Sequence, residues 1–538
     1  MTRPARSCCP APCTRAIARA RLAPLILLAA LGSAASDAAP APTAPAPESV
    51  PQPYQPGPCV ASGQGRDYLV GPDQKLSRLD DVPWEALRPG DTVRLLPRPA
   101  PYRGKFILSA EGTAAAPVRI CGVRGPDGAR PVIDGDGATT RAALAPVYGR
   151  NPRSQAAHQD QAVIMIRQAG AEWTRTPRHI QIDGLAIRGA YPTHRYTSAG
   201  GTPRNYGSFN ACIWIERGHH VRIADNEISD CGNGIFSKSL DEGAFAQTRH
   251  LHVVGNHLHD NGYTGDPETP ADRIHTTYLQ GVDVLVEFNH YGPLRPGAAG
   301  NALKDRSAGL VVRYNRIEGG AHSLDLVEAE DMPNTALATP GYRATFVYGN
   351  QIFNDDRARA IVHYGGDHFG SKPKANWGEP IFRKGTLYFF HNTVIGRGKR
   401  ARIFRISTTE EMVDARNNIF LFETPPQVRE AENPEVAAPW TSDGPIRLGR
   451  NWINSRWQEA DPSRASRIDG VRLQLVGPTT PIDLDTLVPT ARSTALDAGL
   501  NSPDAARSHP VQFQLGTDLK PVPRVVKGKA MDLGAVER

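Results

Sequence analysis

The stretch Gly300–Asp325 (GNALKDRSAGLVVRYNRIEGGAHSLD), preceded by His275 and Tyr278 (HTTY), concentrates residues able to do acid–base chemistry. Lys304 and Arg306 stand two residues apart, which places both on one face of an extended strand. Such a pair suits β-elimination on a uronic-acid polymer. There the C5 proton is removable only when the neighbouring carboxylate is neutralised and a base lies within hydrogen-bond reach. A lysine among other cations has its pKa lowered, so Lys304 is the expected proton acceptor and Arg306 the carboxylate clamp. His275 or Tyr278 would assist or protonate the leaving oxygen. The competing reading is a solvated strand face in which Lys304 and Arg306 pair with Asp305, Glu318 or Asp325. Asp325 with Glu328 opens two further routes, calcium binding or hydrolysis by two facing carboxylates.

Fifteen of the 16 histidines fall between His158 and His391. His250 with His252, and His257 with His259, share strand faces, a spacing that can ligate a metal, but no third ligand is evident. Calcium is the one cofactor the residues raise, and its ligands are not assignable. Arg313, in the same stretch, is a candidate substrate contact. Two insertions rich in aromatic and basic residues, Tyr191–Phe209 and Tyr364–Trp377, can wall a groove in which aromatic faces stack on sugar rings.

The elements that must carry these residues repeat. Val221–Ile228 (VRIADNEI), Leu251–Leu258, Val284–Tyr291, Leu310–Ile317, Thr345–Ile352, Leu387–Val394 and Val413–Phe420 share one pattern. It is a period-2 apolar strand, an Asn, a variable residue, then an aliphatic or aromatic one. The recurring residues read as Asn226, Asn256, Asn289, Asn315, Asn350, Asn392 and Asn417, at spacings of 30, 33, 26, 35, 42 and 25 residues. A constant core with irregular spacing predicts a solenoid whose coils share a cross-section and differ in their loops. Asn suits a recurrent corner because it tolerates left-handed backbone and bonds its own main chain. Stacked Asn side chains can also bond from coil to coil. A β-sandwich would have as many strands but no reason for the Asn step. Coils bury a core only by stacking, so the ends need caps, and Ser77–Leu87 is expected to supply an N-terminal capping helix.

With Tyr68–Pro72 and Arg88–Asp91 (YLVGP, RPGD), Arg130–Gly135 (RPVIDG), Ala495–Gly499 (ALDAG) and Met531–Glu537 (MDLGAVE), the chain resembles the right-handed parallel β-helix family, the pectate-lyase-like solenoids. The likeness runs from about Cys59 to Glu537. Within that family it resembles a subgroup of secreted bacterial polysaccharide-degrading enzymes. The matching positions are His275 and Tyr278, then Leu303, Lys304 and Arg306, then Asp325 and Leu326, with His363 and Tyr364 in the following Tyr-Gly segment, which the resemblance makes candidate substrate contacts. The resemblance implies an all-β, right-handed parallel β-helix and a lyase acting on an acidic polysaccharide. A glycoside hydrolase, or a non-catalytic carbohydrate-binding or adhesion solenoid, are the alternatives. One departure matters. Alginate and chondroitin lyases of this fold follow the Lys base with an Arg acid in a Leu-Arg-His-Gly setting. Here that place reads Ser323–Glu328 (SLDLVE), with no Arg.

The 538 residues carry a formal charge of +7, which invites a nucleic-acid reading. Five arginines, Arg3 to Arg21, precede the apolar run Leu22–Leu31 and small residues to Ala35, the pattern of a cleaved secretory signal peptide over residues 1–35. Without them 57 basic residues face 55 acidic ones, a net charge near +2 that gives no reason to expect nucleic acid. Residues 36–58, rich in Ala and Pro, read as a disordered linker, and residues 59–538 as one β-helix domain including its caps. Cys59, Cys121, Cys212 and Cys231 remain after cleavage, an even number suited to an oxidising compartment, with Cys59–Cys121 and Cys212–Cys231 favoured by position. The expectation is a secreted or periplasmic monomer, free of the membrane once cleaved, whose partner is a polysaccharide.

Overall fold

Alternating apolar residues in successive strands point to one interior: Val221 and Ile223, Leu251 and Val253, Val284 and Val286, and Leu310 and Val312 are all buried. Strands of this kind form three long sheets, of thirteen, thirteen and eleven strands, in the computed structural model. It describes residues 53–141, 159–168, 172–354, 359–367, 381–398, 402–408, 410–429, 444–458 and 468–538. Successive coils pair in parallel along these sheets, as in Val221 opposite Ile180 and Leu251 opposite Val284, with one antiparallel pair, Arg195–Thr197 against Pro203–Asn205, at the end of the second sheet. The fold is the expected parallel β-helix, and Gln52–Arg538 form one compact unit. The signal peptide and most of the linker lie outside the described residues.

The Asn ladder exists, with two corrections. Each Asn side chain accepts the backbone N–H and the Nδ2–H of the Asn one coil earlier, as Asn289 does for Asn256 at 3.0 and 2.9 Å. The rung after Asn392 is Asn418, not Asn417, and the ladder runs on to Asn451. Asn417 instead binds His391 and the carbonyl of Leu500. Left-handed backbone belongs to the residue before each rung from Asn226 to Asn418: Asp225, Gly255, Phe288, Tyr314, Gly349, His391 and Asn417. The Asn is therefore selected for its paired donor and acceptor, not for its φ.

The expected capping helix is replaced by two single 3-10 turns, Leu79–Asp81 and Trp84–Ala86. Pro83 supplies no N–H to continue a helix and holds Val82 extended (ψ 131°). The cap works through Trp84, which stacks on Phe106 at 3.8 Å and donates from Nε1 to the Leu79 carbonyl at 2.7 Å. Of the linker, Tyr54–Pro58 is docked: Arg222 lies 3.9 Å over the Tyr54 ring, and Arg119 donates to the Gly57 and Pro58 carbonyls. At the other end the two terminal motifs bind each other, Gly499 N to Met531 O and Leu533 N to Ala495 O, both at 2.9 Å. Disulfides join Cys59 to Cys121 and Cys212 to Cys231. Among the described residues no helix is long and apolar enough to cross a membrane.

Candidate active site

Five consecutive strands of the second sheet build the site: Thr277–Leu279, Leu303–Asp305, Leu324–Leu326, Val362–Tyr364 and Arg402–Ile406. Their register sets Tyr278 opposite Lys304, Lys304 opposite Asp325, Asp325 opposite His363, and His363 opposite Arg405. Side chains alternate along a strand, so Leu303, Leu324, Leu326, Val362 and Tyr364 fill the interior while this row faces outward. The row lines a cleft of about 800 Å³ together with His275, Arg306, His322 and Asp367. Asp305 alternates inward, where its Oδ1 accepts from Arg383 at 2.9 Å in a fully buried ion pair. Arg383 also donates to the carbonyls of Val327 and Ser307, fixing the strand that presents Lys304 and Arg306 from beneath.

The cleft floor is a continuous ionic network. Lys304 Nζ donates to Asp325 Oδ2 at 2.8 Å and to Asp367 Oδ2 at 2.6 Å. Arg306 donates from Nε to the Tyr278 hydroxyl at 2.9 Å, from Nη1 to the Glu328 carbonyl at 2.9 Å and from Nη2 to Asp367 Oδ1 at 2.6 Å. Asp325 further accepts from Asn301 Nδ2 at 2.7 Å and His363 Nδ1 at 2.8 Å. His363 Nε2 meets Ser407 Oγ at 3.1 Å. The resulting Ser407–His363–Asp325 connectivity is that of an acyl-transfer triad, yet Ser407 is buried and held by the main chain of Gly366. It orients His363 and does not face the cleft.

Burial opposes the charge on Lys304 more strongly than any single neighbour does. The carboxylates of Asp325 and Asp367 together outweigh it and hold the ammonium above its ordinary pKa. This overturns the expectation of a lysine with a lowered pKa: Lys304 is a fixed cation, because its neighbours are mainly anions. The same pairing, acting against burial, keeps Asp325 and Asp367 well below the usual carboxylate range. Burial raises Glu328 to about 7 despite Arg306. Burial also raises the Tyr278 phenol, with Arg306 and Lys304 pulling it back, so it keeps its proton. Burial and the charge of Lys304 push His275 down to about 3.

Of the sequence-predicted residues, His275, Tyr278, Lys304, Arg306, Asp325 and His363 meet in this one cleft. Two do not. Tyr364 points into the solenoid core. Arg313 lies on the first sheet, bound to Glu287 at 2.7 Å and the Tyr348 hydroxyl at 3.0 Å. Arg306 is no free clamp, since all three of its nitrogens are engaged. Sequence reading missed Asn301, His322, Asp367 and Arg405. His322 lies inside the stretch singled out and Asp367 at the start of the second insertion, but only the register brings them together. Arg405 lines the cleft with no hydrogen bond or ion pair to a described residue. Phe209, the last residue of the first insertion, lines it as well. Residues 368–377 of the second insertion lie outside the described residues. For calcium the fit is poor: Asp325 is bound by Lys304, Asn301 and His363, and Glu328 by Arg306. No group of three or more His, Cys, Asp or Glu among the described residues is arranged to hold a metal ion.

No family model matches the chain, and no curated protein matches it in sequence. Among solved structures it is similar to pectate lyase Pel9A, at 11% identity and a TM-score of 0.39 over 88% of this chain and 97% of that one. A GH136 lacto-N-biosidase from Eubacterium ramulus matches at 13% identity and a TM-score of 0.34, over 72% and 68%. A PL6 family polysaccharide lyase from Pseudopedobacter saltans matches at 11% and 0.33, over 78% and 94%.

Proposed function

We propose that the protein is a polysaccharide-degrading enzyme acting outside the cytoplasm, a lyase that cleaves a uronic-acid-containing chain by β-elimination. The observation that carries this is the outward row itself, which has a proton-bearing Tyr278 and His275 at one end and, four coils on, Arg405, a cation with no described partner, facing the same cleft. Arg405 meets a carboxylate further along the polymer, the Lys304–Arg306 network adds fixed charge beneath, and Tyr278 protonates the leaving oxygen. Hydrolysis is less well served. A glycosidase needs one carboxylic acid that keeps its proton, whereas Asp325 and Asp367 are both held ionised on Lys304. Glu328 keeps its proton more readily but is buried off the cleft. The two disulfides suit an oxidising compartment. Incubation with pectate, alginate, glycosaminoglycans and neutral glycans tests the reading. Product with the ultraviolet band of a conjugated uronate is expected. New reducing ends without that band would mean hydrolysis, and retention without cleavage would mean a binding protein.

A further inference from the structure

A second ladder runs along the edge of the second sheet, from Asn233, which opens its strand, through His275, Asn301, His322 and Ala360, each two residues before its strand. Its links are the His275 N–H to Asn233 Oδ1 at 3.1 Å, the Asn301 N–H to His275 Nδ1 at 3.0 Å, and the His322 N–H to Asn301 Oδ1 at 2.9 Å. The last link joins His322 Nδ1 to the Ala360 carbonyl at 2.7 Å.

The chemistry of these partners fixes each ring. A backbone amide can only donate, so His275 Nδ1 carries no proton and a neutral ring holds it on Nε2. A backbone carbonyl can only accept, so His322 Nδ1 carries the proton and Nε2 keeps its lone pair. Both rings line the cleft and both are almost wholly buried. Burial in each case brings the ring to a pKa of about 3, so both are neutral over the physiological range. One cleft thus holds two neutral imidazoles in opposite tautomers, with Asn301 donating its N–H to the His275 ring, accepting the main-chain N–H of His322 and binding Asp325 as well.

We infer that His322 is the proton acceptor of the site, that His275 donates a hydrogen bond to the substrate carboxylate, and that the Asn301 N–H and the Ala360 carbonyl set the two rings in these opposite states. This rests on the lyase reading. His322 Nε2 takes the C5 proton, and the C–H electron pair becomes the C4=C5 double bond. The C4–O bond breaks with its pair on the leaving oxygen, which takes the Tyr278 hydroxyl proton. The carboxylate, gaining charge as C5 is deprotonated, is met by His275 Nε2–H, while Arg405, four coils on, holds a carboxylate further along the polymer. A neutral imidazole is competent as such an electrophile. Return of the proton from His322 to Tyr278 through solvent resets the site.

The test uses the full chain. On the uronate polymer the wild type cleaves, His322→Ala is expected to lower kcat by about 100-fold or more. KM should stay within about twofold by the same argument, since a base acts on the reacting proton and not on binding. Imidazole added to the buffer should restore part of the rate. In the wild type labelled with ¹⁵N-histidine, NMR should show a proton on Nδ1 of His322 and on Nε2 of His275. Undiminished kcat in His322→Ala, or either ring in the other tautomer, overturns the inference. A wild type that yields no conjugated uronate from any polymer overturns the lyase reading and the catalytic role with it. The ring tautomers, read independently of turnover, separate that failure from a wrong assignment of the histidines.

Discussion

The ammonium of Lys304 donates to the carboxylate of Asp325 across a register pair, at 2.8 Å, so the charge at the centre of the cleft is shared between two successive coils. Asp367 arrives on the same ammonium from a third segment. The lysine is thus the joint of the site and holds its proton.

Replacing that joint should unfold the protein more readily. Lys304→Met leaves Asp325 and Asp367 facing each other in a buried setting, and loss of one partner of a buried ion pair costs about 3–5 kcal/mol. Urea unfolding of the variant measures this. A midpoint equal to that of the wild type would show that the network carries no such load.

Tyr278→Phe keeps the ring and removes only the hydroxyl that Arg306 binds. Turnover should fall by about 10²–10⁴-fold, with a loss of stability of only about 1–3 kcal/mol for the Arg306 N–H left unpaired. Wild-type kcat in this variant would take Tyr278 out of the mechanism.

Arg405→Gln removes the cation without a described partner. KM on an acidic polymer should rise about tenfold, and the dependence of KM on salt should weaken because one exposed attraction is gone. Stability should not move. An unchanged KM would place the carboxylate elsewhere.

Two buried groups should give stability opposite slopes with pH. His275 sits at about 3 against an ordinary 6.5. Between those values the unfolded chain binds a proton that the folded one refuses, so stability is full above 6.5 and lost as pH falls towards 3. The slope is about 1.4 kcal/mol per pH unit. His275→Gln should flatten that acid loss. Glu328 sits at about 7 against 4.5. The folded chain keeps a proton that the unfolded one has released, so stability falls as pH rises from 4.5 through 7. Glu328→Gln should gain on the wild type across that window. Urea midpoints at several pH values would reveal a parallel pair of curves if either reading is wrong.

In the scaffold, Asn350→Ala breaks the ladder between Asn315 and Asn392. Each buried group left unpaired costs about 1–3 kcal/mol, so the variant should melt well below the wild type by calorimetry.

Much of the solenoid was legible because period-2 strands and a recurrent Asn are local signals. The pattern did not say which of two adjacent residues was the rung, and Asn417 and Asn418 were told apart only by what each side chain bonds. Lys304, Asp325, His275 and Tyr278 could be gathered from one dense stretch. Arg405 could not, because what places it beside His363 is strand register across a whole intervening turn that carries the strands Thr386–Phe390 and Thr393–Gly396. The charge state of Lys304 was also beyond reach: its pKa depends on Asp367, whose arrival from an insertion leaves no periodic trace. Tyr364 was misplaced for a simpler reason, a one-residue parity that sends neighbours to opposite faces.

Because each working side chain of the outward row sits on its own coil, the site is assembled by counting. Inserting one whole turn between Leu326 and Val362 would leave every residue intact and every local fold satisfied, yet would part Asp325 from His363. Lengthening a loop by any amount would not. Evolution can therefore rewrite the walls of this cleft freely, while the number of turns through its floor is the quantity it must conserve.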